Sequence, residues 1–195
     1  MCMEAKPLEN RPQVVAVFGG SRRDEDSRLY REAYELGSAL ARAGYTVLNG
    51  GYGGSMAAIS HGAADAGGHV IGVTCSIFDP LLPNRWLTEE IREPDLLARL
   101  RTMVERADAF VTLRGGIGTL SELTLAWSLL QTRAFAKPLV LLGTEWQDVL
   151  DAFHAYTDIG DSIMALVQVV PDPSGAVAAL AAPRRPMPPL PPAAG

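Results

Sequence analysis

The residues best suited to chemistry sit in three glycine-rich segments: Gly19-Gly20-Ser21, Gly50-Gly51-Tyr52-Gly53-Gly54 and Gly115-Gly116-Ile117-Gly118. Each follows a short apolar run and precedes a stretch with helical spacing. Glycine lets backbone N–H groups approach an anion with no Cβ in the way. The helix start behind it adds unpaired donors and a partial positive charge. One such loop is an ordinary tight turn. Three at strand ends predict a phosphate- or nucleotide-type ligand. Two charged residues stand close to the third loop. Thr119 and Glu122 have the T-x-x-E spacing of a capping box, and spacing alone favours that structural role. Glu122 would nonetheless lie in the first helical turn, beside the loop and facing the crevice, where a functional carboxylate could also sit. Arg106 closes the preceding helix, where its ordinary role is a dipole partner worth roughly 0.3–1 kcal/mol.

Several chemistries are disfavoured by what is missing. A P-loop needs Gly-Lys-Ser/Thr, and Lys6 and Lys137, the only lysines, are near no such loop. A dinucleotide site needs an acid at the end of the second strand; Asn49-Gly50-Gly51 stands there instead. His61, His69 and His154 are too scattered to suggest a metal, so no metal and no cofactor is expected. A pyridoxal-dependent reaction needs a lysine at the crevice, and Lys137 precedes Pro138 at a strand start, away from it.

The loops must be held by alternating strands and helices. Apolar runs predict strands at 13–18, 45–48, 69–74, 109–113 and 138–142, with a short last one at 167–170. Helices are expected at 27–43, 55–66, 95–106, 119–132, 146–156 and 174–181. The segment 76–94 reads as irregular. Apolar strands each followed by a helix predict an α/β fold: a doubly wound, Rossmann-like parallel sheet with helices on both faces. One domain spans 13–181, with a flexible arm at 1–12 and a Pro-rich disordered tail at 182–195.

Bulk properties agree. The chain has 195 residues, 48% hydrophobic, enough for one sizeable core. A formal charge of −5 disfavours nucleic acid and anionic membrane as partners. Two cysteines and no apolar run long enough to span a bilayer point to a reduced, cytoplasmic setting.

Gly115-Gly116-Ile117-Gly118-Thr119-Leu120-Ser121-Glu122 resembles the P-G-G-x-G-T-x-x-E signature of the LOG family of cytokinin-activating phosphoribohydrolases, whose members often carry a "lysine decarboxylase-like" label. Met103-Val104-Glu105-Arg106 resembles its M-x-x-R-K motif. Val15–Ser21 resembles its V-x-V-F-x-G-S start, and Asn49–Met56 its Y-G-G-G-x-x-G-L-M loop. The resemblance covers about residues 13–155. Arg114 and Ala107 depart from the family's Pro and Lys, and the glycine after Met56 is missing.

The resemblance implies hydrolysis of the N-glycosidic bond of a nucleoside 5′-monophosphate, with Arg106 and Glu122 catalytic. It also implies a homodimer. The 5′-phosphate would rest on Gly115, Gly116, Gly118 and Thr119. Gly20 and Ser21 would touch the nucleotide from the first loop, Gly51, Gly53 and Gly54 from the second, and Met56 would lie near the base. Arg114 could favour a more anionic ligand. The competing readings are a non-catalytic nucleotide or molybdenum-cofactor-type carrier and a regulatory nucleotide sensor.

Overall fold

A computed structural model describes residues 13–22 and 28–182. The arm at 1–12 and the tail, apart from Ala182, lie outside the described residues. Seven strands form one parallel sheet in the order β4-β3-β2-β1-β5-β6-β7. They are β1 (Val14–Phe18), β2 (Thr46–Asn49), β3 (Val70–Cys75), β4 (Glu89–Glu93), β5 (Ala109–Thr112), β6 (Leu139–Leu142) and β7 (Gln168–Val170). The helices are α1 (Arg28–Arg42), α2 (Ser55–Asp65), α3 (Leu96–Arg106), α4 (Ile117–Gln131), α5 (Trp146–Tyr156), α6 (Asp161–Met164) and α7 (Pro173–Ala181).

Both faces of the sheet are covered, which is why the inner strands read as unbroken apolar runs. Alternate residues divide between two cores. Val15, Val17, Val47 and Val111 pack under α1, α2 and α7. Ala16, Phe18, Leu48 and Phe110 pack under α3, α4 and α5. Helices α1 and α2 approach unusually closely. A Cβ on Gly37 would overlap the Ile59 carbonyl, and one on Gly62 would overlap that of Tyr34.

The expected doubly wound sheet is present. Two elements escaped the sequence pattern: β4 and the short α6. Strand β4 reads Glu-Glu-Ile-Arg-Glu and pairs with β3 from Ile71↔Glu89 to Cys75↔Glu93. It is an edge strand, and charge on an edge blocks further pairing. Only Ile91 packs on a core, too little to reveal a strand by alternation. Among the described residues no helix is long and apolar enough to cross a membrane.

The topology fixes where a ligand can lie. Strands β1 to β4 step one way from the middle of the sheet, and β5 to β7 step the other way. The connections leaving β1 and β5 therefore diverge, opening a crevice beyond their carboxyl ends.

Candidate active site

All three glycine loops lie at the carboxyl edge, and the glycines that pack them together flank the switch point. Ser55 N–H donates to the Gly20 carbonyl at 2.8 Å, tying the second loop to the first. Gly54 has φ +66°, and a Cβ there would lie 2.5 Å from the Ser21 carbonyl carbon. A Cβ on Gly115 would lie 3.0 Å from Gly20 N and would collide with the Thr119 hydroxyl tucked beneath it. These glycines exist for close backbone packing.

Gly116 and Gly118 differ: a Cβ on either would meet nothing within 4 Å. Both are exposed at the start of α4, whose N-cap, Gly116, supplies no side-chain bond. Thr119 is buried in that first turn. An uncapped helix start facing open space is a ready anion seat.

The second loop divides. Gly51 is buried, its N–H donating to Asn49 Oδ1 at 2.8 Å and its carbonyl accepting from Asn84 N–H at 2.8 Å. Its backbone is committed to structure, contrary to the expectation that it touches ligand. Gly53 is half-buried, and Ser21 is exposed on the first loop.

Glu122 does not form the capping box. Helix α4 begins at Ile117, so Thr119 already lies inside it. The Glu122 side chain points inward, 8% exposed, and Oε1 lies 3.4 Å from Arg99 Nη1. Burial pushes its carboxyl up to about 7 from the ordinary 4.5, against the lowering effect of the Arg99 charge and hydrogen bond. A carboxyl raised toward neutrality suits proton transfer.

Arg99 is the partner that sequence reasoning missed. Asp95 caps α3 by accepting from Ala98 N–H at 2.9 Å, which places Arg99 in the first turn, at the carboxyl edge of the sheet. Its Nε donates to the Val73 carbonyl at 2.8 Å. A Cβ on Gly50 would overlap Arg99 Nη2 and lie 2.6 Å from Met56 Sδ, so both side chains converge over Gly50. The guanidinium is thus enclosed by β2, β3 and Glu122, with 6% exposure.

Arg106 is not brought to Glu122. Seven residues further along α3, it sits about 10.5 Å down the axis at 1.5 Å per residue. That end of a crossover helix lies at the amino edge of the sheet. There Arg106 Nη2 meets Glu89 Oε1, in the first residue of β4, at 3.3 Å, both side chains 41% exposed. The signal that could have found Arg99 was positional. In a parallel sheet the first turn of each helix, not the last, borders the ligand edge. Leu96-Leu97-Ala98-Arg99 also keeps the M-x-x-R spacing, with Leu for Met.

Arg114 follows β5, half-exposed, with Nη1 3.5 Å from Glu145 Oε1. The same oxygen lies 3.6 Å from Arg28 Nη2. The extra charge expected beside the phosphate seat is therefore already met by a carboxylate. Lys137 Nζ donates to the Val104 carbonyl at 2.9 Å, near the C-terminal end of α3. That is the edge away from the glycine loops, so this lysine does not fit a pyridoxal site there. No group of three or more potential metal ligands occurs among the described residues.

The fold defines a Rossmann-like α/β protein with three glycine loops at the carboxyl edge of its sheet, around the switch point. A family model described as "possible lysine decarboxylase" matches residues 56–180. The chain is 34% identical over 190 residues to a cytokinin riboside 5′-monophosphate phosphoribohydrolase of Rhodococcoides fascians, covering 92% of this chain and 93% of the relative. It is 33% identical over 174 residues to a probable cytokinin riboside 5′-monophosphate phosphoribohydrolase of Oryza sativa subsp. japonica, covering 84% and 74%. The chain belongs to this family, the LOG family. Among solved structures it resembles the molybdenum cofactor carrier protein of Chlamydomonas reinhardtii, with TM-score 0.67, 28% identity, and 87% and 96% of the two chains covered. It also resembles the molybdenum cofactor binding protein of Rippkaea orientalis, with TM-score 0.70, 25% identity, and 86% and 94% covered.

Proposed function

We propose that this chain hydrolyses the N-glycosidic bond of a nucleoside 5′-monophosphate, releasing free base and ribose 5-phosphate, and that Glu122 and Arg99 are its catalytic pair. The observation that carries the reading is the buried carboxyl–guanidinium contact of Glu122 and Arg99 beside an open glycine loop. A structural ion pair so deeply buried is weak support for stability. A carboxyl whose proton is finely balanced is well placed for acid–base work.

The 5′-phosphate sits on the free N–H groups at the start of α4, with Gly116 and Gly118 leaving room for it. As the C1′–N bond breaks, its electron pair leaves with the base and positive charge builds on the ribose. The Glu122 carboxylate stabilises that charge and accepts a proton from the water whose oxygen bonds to C1′. The departing base takes up a proton, and Glu122 returns its own to solvent. Arg99 keeps part of the Glu122 population ionised at neutral pH and offers its remaining N–H groups to sugar or phosphate oxygens. Arg106, on the far edge, has no part in this step. Met56, beside Arg99, borders the same hollow.

The proposal extends to a cytoplasmic homodimer. Support for the homodimer is the exposed Leu96, Leu97 and Ile117 at the helix starts around the site, an apolar rim that a second copy would cover. Light scattering on the purified chain reads the mass directly.

The decisive assay is incubation with AMP followed by chromatography. Adenine and ribose 5-phosphate should appear together, in equal amounts. Tight AMP binding with no adenine released over hours favours the carrier reading instead.

A further inference from the structure

Tyr52 stands inside a run of glycines, where a phenol is not needed for the turn. Its side chain folds inward and is 8% exposed. The hydroxyl donates to the Cys75 carbonyl at 3.0 Å and accepts from Cys75 N–H at 2.9 Å. One side chain thus occupies both backbone groups of the last residue of β3. The chain then makes a single 3-10 turn, Ser76–Phe78. That turn sets the Phe78 ring edge-on to Tyr52, with centroids 5.5 Å apart and planes at 81°. Phe78 in turn lies 5.9 Å from Arg99 Cζ, within cation–π range.

We infer that Tyr52 is a positioning residue for the catalytic arginine: it pins the end of β3, so that Phe78 closes over Arg99 and holds the guanidinium against Glu122. The inference rests on the proposed catalytic pair. Three of the four sides of the guanidinium are fixed without Tyr52, by the Val73 carbonyl, the Gly50 backbone and Glu122. Phe78 is 36% exposed and sits on a loop turn, so its place depends on what anchors that turn. Among the described residues the hydroxyl of Tyr52 is the side-chain anchor at Cys75, and Ser76 adds a longer bond, 3.4 Å, to the Glu93 carbonyl. The charge acting on Glu122 is that of Arg99. A looser Arg99 therefore changes Glu122 before it changes anything else.

The test compares Tyr52→Phe, which keeps the ring and deletes the hydroxyl, with Phe78→Leu and their double variant. The first readout needs no substrate: the carbon-13 signal of the Glu122 carboxyl, followed through a pH titration. Its midpoint should rise in both single variants, by several tenths of a pH unit, and rise no further in the double. The second readout is turnover of AMP. Each single variant should lose about tenfold in kcat with KM changed less than twofold, and the double should lose about the same rather than the product. Phe78→Tyr, which keeps the ring face, should restore wild-type values. An unmoved Glu122 midpoint in both single variants overturns the inference, as do multiplying losses. Should Tyr52→Phe not fold, Tyr52→His, which keeps a ring with a polar edge, takes its place, and an unmoved midpoint in Phe78→Leu still overturns the inference. A shifted midpoint in a protein that never cleaves AMP keeps the relay and removes the proposed activity, so the two failures are distinct.

Discussion

Arg99 and Arg106 share one helix, lie on nearly the same face and differ in almost everything else. Arg99 is 6% exposed, bonded to a β3 carbonyl and set against a carboxyl whose ionisation is disturbed. Arg106 lies in an exposed pair with Glu89, an arrangement usually worth less than 1 kcal/mol. The cause is polarity of the architecture. A crossover helix starts at the carboxyl edge of a parallel sheet and ends at the amino edge, so its first turn borders the crevice and its last turn borders the back. The same residue type two turns apart meets a buried carboxyl in one place and water in the other.

The most severe break of this contrast is on the acid itself. Glu122→Gln should lower kcat on AMP about a thousandfold while substrate binding survives, the pattern of a group acting mainly in the transition state. Loss of affinity with turnover intact would reassign Glu122 to binding. Next in size, Arg99→Ala should cost about a hundredfold in kcat/KM and destabilise the fold, since it leaves a buried carboxylate unpaired. Arg106→Ala should stay within twofold of wild type; a comparable loss from both would erase the distinction between the two ends of α3.

Smaller effects sharpen it further. Gly118→Ala adds a methyl group where the protein has no atom within 4 Å. Thermal stability should hold or rise slightly, because alanine favours helix, while KM for AMP rises about tenfold if the phosphate seat is at that turn. Equal KM values would move the phosphate elsewhere.

The pH dependence gives the last test. Glu122 is raised to about 7 in the folded chain against 4.5 for the free group. Between those values the native state holds a proton that the unfolded state has released. Its contribution to stability is therefore full below pH 4.5 and lost as pH rises through 7, a change on the order of 3 kcal/mol. Denaturant titrations of wild type should show that decline, and Glu122→Gln should lack it. In activity the sign reverses: kcat/KM should climb with pH through a midpoint near 7, as the carboxylate forms.

Much of this was legible in the residues alone. Apolar runs ending in glycine gave the inner strands and their loops, because a strand buried on both faces leaves little room for polar residues. Glu122 was singled out, though its spacing argued for a cap. Strand β4 was hidden because an edge strand is protected by charge, which removes the apolar signature. Arg99 was hidden for a different reason. Its place depends on which edge of the sheet its helix turn reaches, and Met103 offers the literal M-x-x-R match seven residues further along the same helix. Gly51 showed the limit of composition: glycine at a ligand loop and glycine under a strand look identical until their N–H partners are known.

The Asp95 cap carries a consequence for how this fold can vary. Successive helical side chains swing by about 100°, so one residue gained or lost between Asp95 and Arg99 would turn the guanidinium off the Val73 carbonyl and out of the hollow. An exposed position such as Leu82 can change at little cost to the pair of Arg99 and Glu122. The stretch from Asp95 to Arg99 cannot; it acts as a gauge block, and its length fixes where the guanidinium meets Glu122.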